Sequence, residues 1–115
     1  MDLNIALDYG GRDEILRAVA KINRSYSGDF HLLNEQHFSQ YLDLPQMPDP
    51  DLVIRTGGEM RLSNFLIWQI AYAELFFSKK MWPDFTIHDF EEALLDYQKR
   101  SRRRGGDARC VSRLV

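Results

Sequence analysis

The chain has 115 residues, a formal net charge of −2, and 44% hydrophobic and 28% charged residues, the proportions of one ordinary globular domain with a modest core. Its single cysteine, Cys110, excludes an internal disulfide, so nothing points to a secreted disulfide scaffold. No stretch has a signal-peptide layout, and the longest apolar run, 65–77, is too short to span a bilayer and contains Gln69 and Glu74, so the chain reads as cytoplasmic.

In chain order, Leu3, Ile5 and Leu7 alternate with Asn4, Ala6 and Asp8, which predicts a strand. Gly10-Gly11 then turns the chain. Ile15, Val19, Ile22 and Tyr26 stand at helical spacing, and Gly28 is placed to stop that helix. Strand, Gly-Gly, helix is a layout that can cradle a phosphate, and equally a plain connection in a βαβ unit; Arg12 is a secondary candidate there. Residues 34–42 predict a short helix capped by Asn34, with Phe38 and Leu42 facing inward. His31, His37 and His88 are too loosely placed for a metal pair and read as surface or capping residues. Pro45, Pro48 and Pro50 make a stiff approach that no helix tolerates.

The stretch that follows organises the rest. Leu52 to Ile54 predicts a strand ending in a loop with Arg55, Gly57, Gly58, Arg61 and Ser63, and a new apolar run starts at Phe65. A strand that delivers glycines, forked guanidinium donors and a helix start is how a chain builds an anion site. Ser63 stands where an N-cap would stand. The alternative is a surface loop with solvated arginines. Residues 64–70 predict a short buried helix, and 73–77 a strand. Within that apolar run Glu74 needs a cation or donors if it is buried; it pairs with a structural arginine, lies on an exposed strand face, or binds a ligand.

Trp82-Pro83-Asp84 ends the run. Thr86 and Asp89 have the spacing of a capping box, and Ile87, Phe90, Leu94 and Tyr97 mark one apolar helix face. From Lys99 onward seven basic residues meet only Asp107, so residues 1–98 carry about −8 and the remainder about +6. A basic tail can meet nucleic acid, anionic lipid or a diphosphate; the reading favoured is a helix end, where cations suit the dipole. No aromatics interleave residues 100–104, which sets nucleic acid aside. Residues 107–115 follow no pattern and are expected to be disordered. Triad spacing, zinc spacing and Gly-x-Gly-x-x-Gly are all absent from the sequence.

The strings Asp51-Leu-Val-Ile-Arg-Thr-Gly-Gly-Glu59, Arg61-Leu-Ser-Asn-Phe-Leu-Ile-Trp-Gln-Ile-Ala-Tyr-Ala-Glu-Leu75 and Trp82-Pro-Asp-Phe85 closely resemble the C-terminal signature of the cis-prenyltransferases, the undecaprenyl diphosphate synthase family. Leu3-Asn-Ile-Ala-Leu-Asp-Tyr-Gly-Gly-Arg12 resembles an earlier block, and Arg103-Arg104-Gly105 the family's Arg-x-Gly. The resemblance implies the C-terminal half of a parallel-sheet α/β fold over residues 1–106, about three strands with flanking helices. It implies condensation of isopentenyl diphosphate with an allylic (farnesyl) diphosphate to a long polyprenyl diphosphate, the lipid carrier of cell-wall glycans. Arg55, Arg61, Leu62 and Ser63 match the family's contacts to isopentenyl diphosphate, and Glu74 its second acidic residue, which helps hold Mg²⁺. Arg103 and Gly105 match a tail that reaches a neighbour's diphosphate site across a homodimer. The resemblance further implies peripheral membrane contact through the lipid product, at the inner face. The family's early Asp-Gly-Asn-Gly-Arg block, with its metal-binding aspartate, is not among these residues, so this stretch alone is not expected to elongate prenyl chains. The alternative is a non-catalytic diphosphate-binding partner subunit of a heteromeric enzyme.

Three strands separated by helices make half of a parallel sheet. Such a piece exposes a sheet edge and apolar surface, and is expected either to be part of a larger fold or to assemble with another chain.

Overall fold

The computed structural model describes residues 2–100. Its main elements are helix α1 (Gly11–Ser25), helix α2 (Glu35–Ser39), strand β1 (Leu52–Arg55), strand β2 (Glu74–Phe77) and helix α3 (Ile87–Lys99). They fall into two units, one made of Met1–Pro50 with Arg61–Ala71, the other of Asp51–Met60 with Tyr72–Val115.

In the first unit α1 begins directly after the glycine pair. Asp13 and Glu14 occupy its first turn, where acids suit the dipole. Its buried stripe is Gly11, Glu14, Ala18 and Ile22, while Val19 is exposed. The inward face is therefore rotated from the one the apolar spacing predicts, because the Glu14 carboxylate, with its donors, turns inward. The helix stops at Tyr26, whose backbone is extended, two residues before Gly28. Arg17 braces α1 by donating to Asp13 and, through two nitrogens, to Asp43; this guanidinium holds the Asp43 carboxyl below the usual carboxylate range. Helix α2 is capped as its sequence predicts, with Asn34 Oδ1 accepting from the His37 amide at 2.9 Å. It is shorter than expected, and Leu42 is buried beyond its end.

Two expectations fail in this unit. Residues 3–7 form no strand: Leu3, Ile5 and Leu7 are 78%, 73% and 83% exposed and belong to no ladder. Alternation specifies a strand only where another strand accepts its hydrogen bonds, and the described residues provide two strands, not three. Residues 64–70 are turns, not a helix. Ile70 N donates to Leu66 O at 3.0 Å as one helical turn would, but Ser63, Asn64 and Leu66 have φ of 49°, 64° and 46°. Those left-handed angles cannot belong to a right-handed helix.

The second unit holds the sheet. β1 and β2 are parallel, in the register Leu52↔Glu74, Val53↔Leu75, Ile54↔Phe76 and Arg55↔Phe77. Beyond β1, Gly57 (φ 91°) and Gly58 (φ 77°) take angles that a Cβ resists, and their amides donate to Lys80 O and Ser78 O at 2.7 and 2.9 Å. Helix α3 starts with the predicted capping box: Thr86 accepts from the Asp89 amide, and Asp89 accepts from the Thr86 amide at 2.7 Å. Lys80 Nζ sits 2.6 Å from Asp89 Oδ1. The predicted apolar face of α3 does not pack inward. Ile87, Phe90 and Leu94 are exposed and Ala93 is buried, one turn from Asp89, which Lys80 holds from outside the helix. No helix among the described residues is long and apolar enough to cross a membrane.

A Cβ at Gly11 would lie 2.8 Å from Ile67 Cγ1 and 3.1 Å from both Asn64 O and Ile67 N. Gly11→Ala is therefore expected to lose about 1–3 kcal/mol of stability in urea unfolding, despite alanine's better helix propensity. At α3, Lys80 first and Thr86 second hold the Asp89 carboxyl far below its ordinary value. Its contribution to stability is thus complete above the unfolded-state pKa of about 4 and fades as pH falls toward the folded value. Thermal unfolding between neutral and strongly acid pH should show this loss, and Asp89→Asn should remove that part of the dependence. Thr86→Ala should cost about 1 kcal/mol at neutral pH.

Candidate functional site

The most irregular backbone in the described chain coincides with the arginine and serine loop. Ser63 and Asn64 are consecutive left-handed residues and Leu66 is a third. Asparagine tolerates that region; serine and leucine do so at about 1–2 kcal/mol each, and persist there only where the surroundings over-determine them. Ser63 is therefore not the N-cap that its position predicts: an N-cap has extended backbone, and no helix follows.

The surroundings in question come from α1. Gly10, its N-cap, has no side chain to serve the unpaired amides of the first turn. The loop supplies the acceptors instead: Gly11 N donates to Asn64 O at 2.7 Å, and Arg12 N to Asn64 Oδ1 at 2.9 Å. The glycine-turn-helix layout near Arg12 is thus a docking point for the loop, and those two amides are not open to a phosphate. Gly10 and Gly11 permit the approach, since a Cβ on Gly10 would meet Asn64 Nδ2 at 2.9 Å.

Beneath this contact lies a buried carboxylate. Glu14, 2% exposed, accepts from the Tyr9 hydroxyl, from Asp43 N at 3.0 Å, and from Gln69 Nε2 at 3.2 and 3.1 Å to its two oxygens. Four such donations offset the cost of taking a charge out of water. Partial burial first, and donation to Glu14 second, push the Tyr9 phenol well above its ordinary range. Gln69 Oε1 is buried with no hydrogen-bond partner among the described residues. Tyr9 also packs edge-on against Phe65, with ring centroids 5.7 Å apart, and Trp68 packs on Phe38 at 4.3 Å while donating to Ser39 Oγ at 3.2 Å. The loop that contains Arg61, Leu62 and Ser63 is thus anchored at Asn64, Phe65, Trp68 and Gln69. Sequence reasoning missed Glu14, Asn64 and Gln69; the available signal was a helix start whose glycine cap has no side chain.

The expected site residues divide between the units. Arg61, Leu62 and Ser63 belong to the first; Arg61 and Ser63 are exposed, and Leu62 O accepts from Phe65 N at 3.2 Å. Arg55 and Glu74 belong to the second, and the ladder keeps them apart. Arg55 is the last residue of β1, opposite Phe77, whereas Glu74 is the first of β2, opposite Leu52. Three residues of strand separate those ends by about 10 Å, and the alternation of side chains puts the two on opposite faces. The Gly57-Gly58 turn does not offer its amides as a cradle either, because Lys80 O and Ser78 O take them.

Glu74 instead meets Arg100, the C-cap of α3. Arg100 Nη1 donates to Glu74 Oε2 at 3.0 Å, and its Nε and Nη2 donate to Asp96 Oδ2 at 2.9 and 2.6 Å. The Glu74 side chain is 24% exposed. No group of three His, Cys, Asp or Glu side chains among the described residues is placed to hold a metal ion. Glu74 alone offers one carboxylate, paired with Arg100 through Oε2. Arg103 and Gly105 lie outside the described residues, as do Arg104, Cys110 and the tail 107–115.

Comparison with known proteins places the chain in a family. The family model described as "Putative undecaprenyl diphosphate synthase" matches residues 1–105. An isoprenyl transferase of Thermotoga maritima is 61% identical over 107 residues, covering 92% of this chain and 46% of that protein. Two solved structures are similar to this chain. One is a probable undecaprenyl diphosphate synthase from Campylobacter jejuni (TM-score 0.76, 40% identity, 88% of this chain and 46% of that one). The other is lavandulyl diphosphate synthase from Lavandula x intermedia in complex with dimethylallyl diphosphate (TM-score 0.83, 39% identity, 88% and 45%). The chain therefore spans less than half the length of the relatives it matches. A family match over nearly the whole chain, with identity at this level, establishes that it belongs to the isoprenyl transferase, or undecaprenyl diphosphate synthase, family.

Proposed function

We propose that this chain supplies the isopentenyl diphosphate site of a cis-prenyltransferase, with Arg55, Arg61, the Leu62 amide and Ser63 as its diphosphate contacts. The observation that carries the reading is the left-handed backbone at Ser63, Asn64 and Leu66. Strain of this kind collects where a binding loop has to be held in one shape, and here it falls within the arginine and serine stretch. Two guanidinium groups and a hydroxyl match the charge and the oxygen-rich surface of a diphosphate. A relative that covers most of this chain was solved with a prenyl diphosphate, dimethylallyl diphosphate, which supports the same ligand class.

In the proposed reaction the double bond of isopentenyl diphosphate attacks the ionising carbon of an allylic diphosphate. A carbon–carbon bond forms, the allylic carbon–oxygen bond breaks with release of diphosphate, and a proton leaves the attacking partner. Holding one substrate by its diphosphate orients the double bond, so the loop acts by positioning and by balancing charge. Magnesium, when bound, would neutralise diphosphate charge; Glu74 would give it one carboxylate oxygen while Arg100 steadies the other. Within one chain the register of β1 and β2 puts Arg55 and Glu74 at opposite ends and on opposite faces of the ladder. The product would be a long polyprenyl diphosphate made by a cytoplasmic homodimer at the inner face of the membrane.

Calorimetric titration of the 115-residue chain with isopentenyl diphosphate tests the site. Saturable binding is expected, weakened at least about tenfold (about 1.4 kcal/mol) in Arg55→Ala and in Arg61→Ala. Unchanged affinity in both folded variants would overturn the assignment. Incubated with farnesyl diphosphate, isopentenyl diphosphate and Mg²⁺, the chain alone is expected to yield no elongated prenyl product.

A further inference from the structure

We infer that Asn64 is a positioning residue for the diphosphate loop: it caps α1 at Arg12, 52 residues away in the chain, and so holds the end of the Arg61–Ser63 stretch, where Ser63 is left-handed. The inference rests on the reading of that loop as a diphosphate site. A helix start leaves amides that need acceptors, and the residue normally able to supply one, the N-cap, is Gly10. Asn64 meets the need twice, with its carbonyl on Gly11 N at 2.7 Å and its side-chain oxygen on Arg12 N at 2.9 Å. The double contact fixes both the position and the rotation of one peptide of the loop. That peptide joins Asn64 to Phe65, and Asn64 directly follows Ser63, the proposed ligand residue, whose φ is 49°.

The residue type fits both requirements. Asparagine is among the few non-glycine residues that enter the left-handed region readily, and its amide oxygen accepts as an N-cap side chain does. Alanine or leucine at 64 would meet neither. Glycine would meet the backbone requirement alone, and aspartate would keep the acceptor. This separation of roles makes the inference testable without relying on a variant that fails to fold. The closeness of Gly10 and Gly11 to Asn64 and Ile67, at 2.8–3.1 Å for an added Cβ, is the same contact seen from the helix side.

The test uses the 115-residue chain, with amide hydrogen exchange at Gly11 and Arg12, urea midpoints and calorimetric titration with isopentenyl diphosphate. In Asn64→Gly the Arg12 amide should exchange at least about tenfold faster, and affinity should fall about tenfold, as for the loss of a group that orients a ligand residue. In Asn64→Asp, with the acceptor restored, Arg12 should regain its protection. Unaltered Arg12 exchange in Asn64→Gly would overturn the cap. Faster exchange and a lower urea midpoint with unchanged affinity would reduce Asn64 to a structural residue and overturn the inference. Slow exchange at Gly11 and Arg12 in a wild-type chain that takes up no isopentenyl diphosphate would overturn the functional reading and the positioning role together, leaving the cap intact.

Discussion

Two amides at the start of α1 set the conformation of the loop that matters most. A helix beginning on glycines has no side chain to close its own end, so closure falls to another part of the chain. Here Asn64 provides it. The consequence runs in both directions. The helix gains its cap, and the loop gains a fixed residue, Asn64, directly after Ser63. The left-handed angles at 63, 64 and 66 are then the shape the chain needs in order to reach α1.

The buried Glu14 cluster is the second anchor of the same loop. A carboxylate inside a protein is tolerated only with donors around it, and Glu14 takes them from Tyr9, Asp43 and Gln69. Gln69 ties the far end of the turn segment to α1 as Asn64 ties its near end. The arginine and serine stretch thus begins immediately before a segment held at two points. The network is not complete, since Gln69 Oε1 is buried with no partner among the described residues, yet its paired members still tie the segment to α1.

In the second unit the parallel register decides which charged groups can act together. Arg55 and Glu74 are both marked by the family's signature, yet a four-residue ladder puts them at opposite ends and on opposite faces. Glu74 finds its cation in Arg100, which Asp96 steadies from one helical turn away. The carboxylate is thereby oriented.

Local chemistry was legible in the residues themselves. The Thr86 and Asp89 capping box and the Asn34 cap depend on neighbours three positions away, and both form as their residues indicate. The two apolar strands and the glycine turn at 57–58 also form where their residues indicate, closed by partners about twenty positions away. The family, too, is written in contiguous strings. Other features that depend on a distant partner were not legible. Leu3 to Leu7 alternates like a strand but meets no ladder among the described residues. Residues 64–70 have helical composition, yet tertiary contacts at Asn64 and Gln69 hold them in turns. The α3 apolar face is exposed, while Lys80 holds Asp89 on the other side of the helix. The ion pairing of Glu74 and the separation of Arg55 from it follow from strand register and the end of a helix, which no spacing along the chain encodes. Sequence determined which residues can cap, turn or bind an anion; tertiary structure decided which of them meet, because hydrogen bonds and ion pairs form between groups adjacent in space.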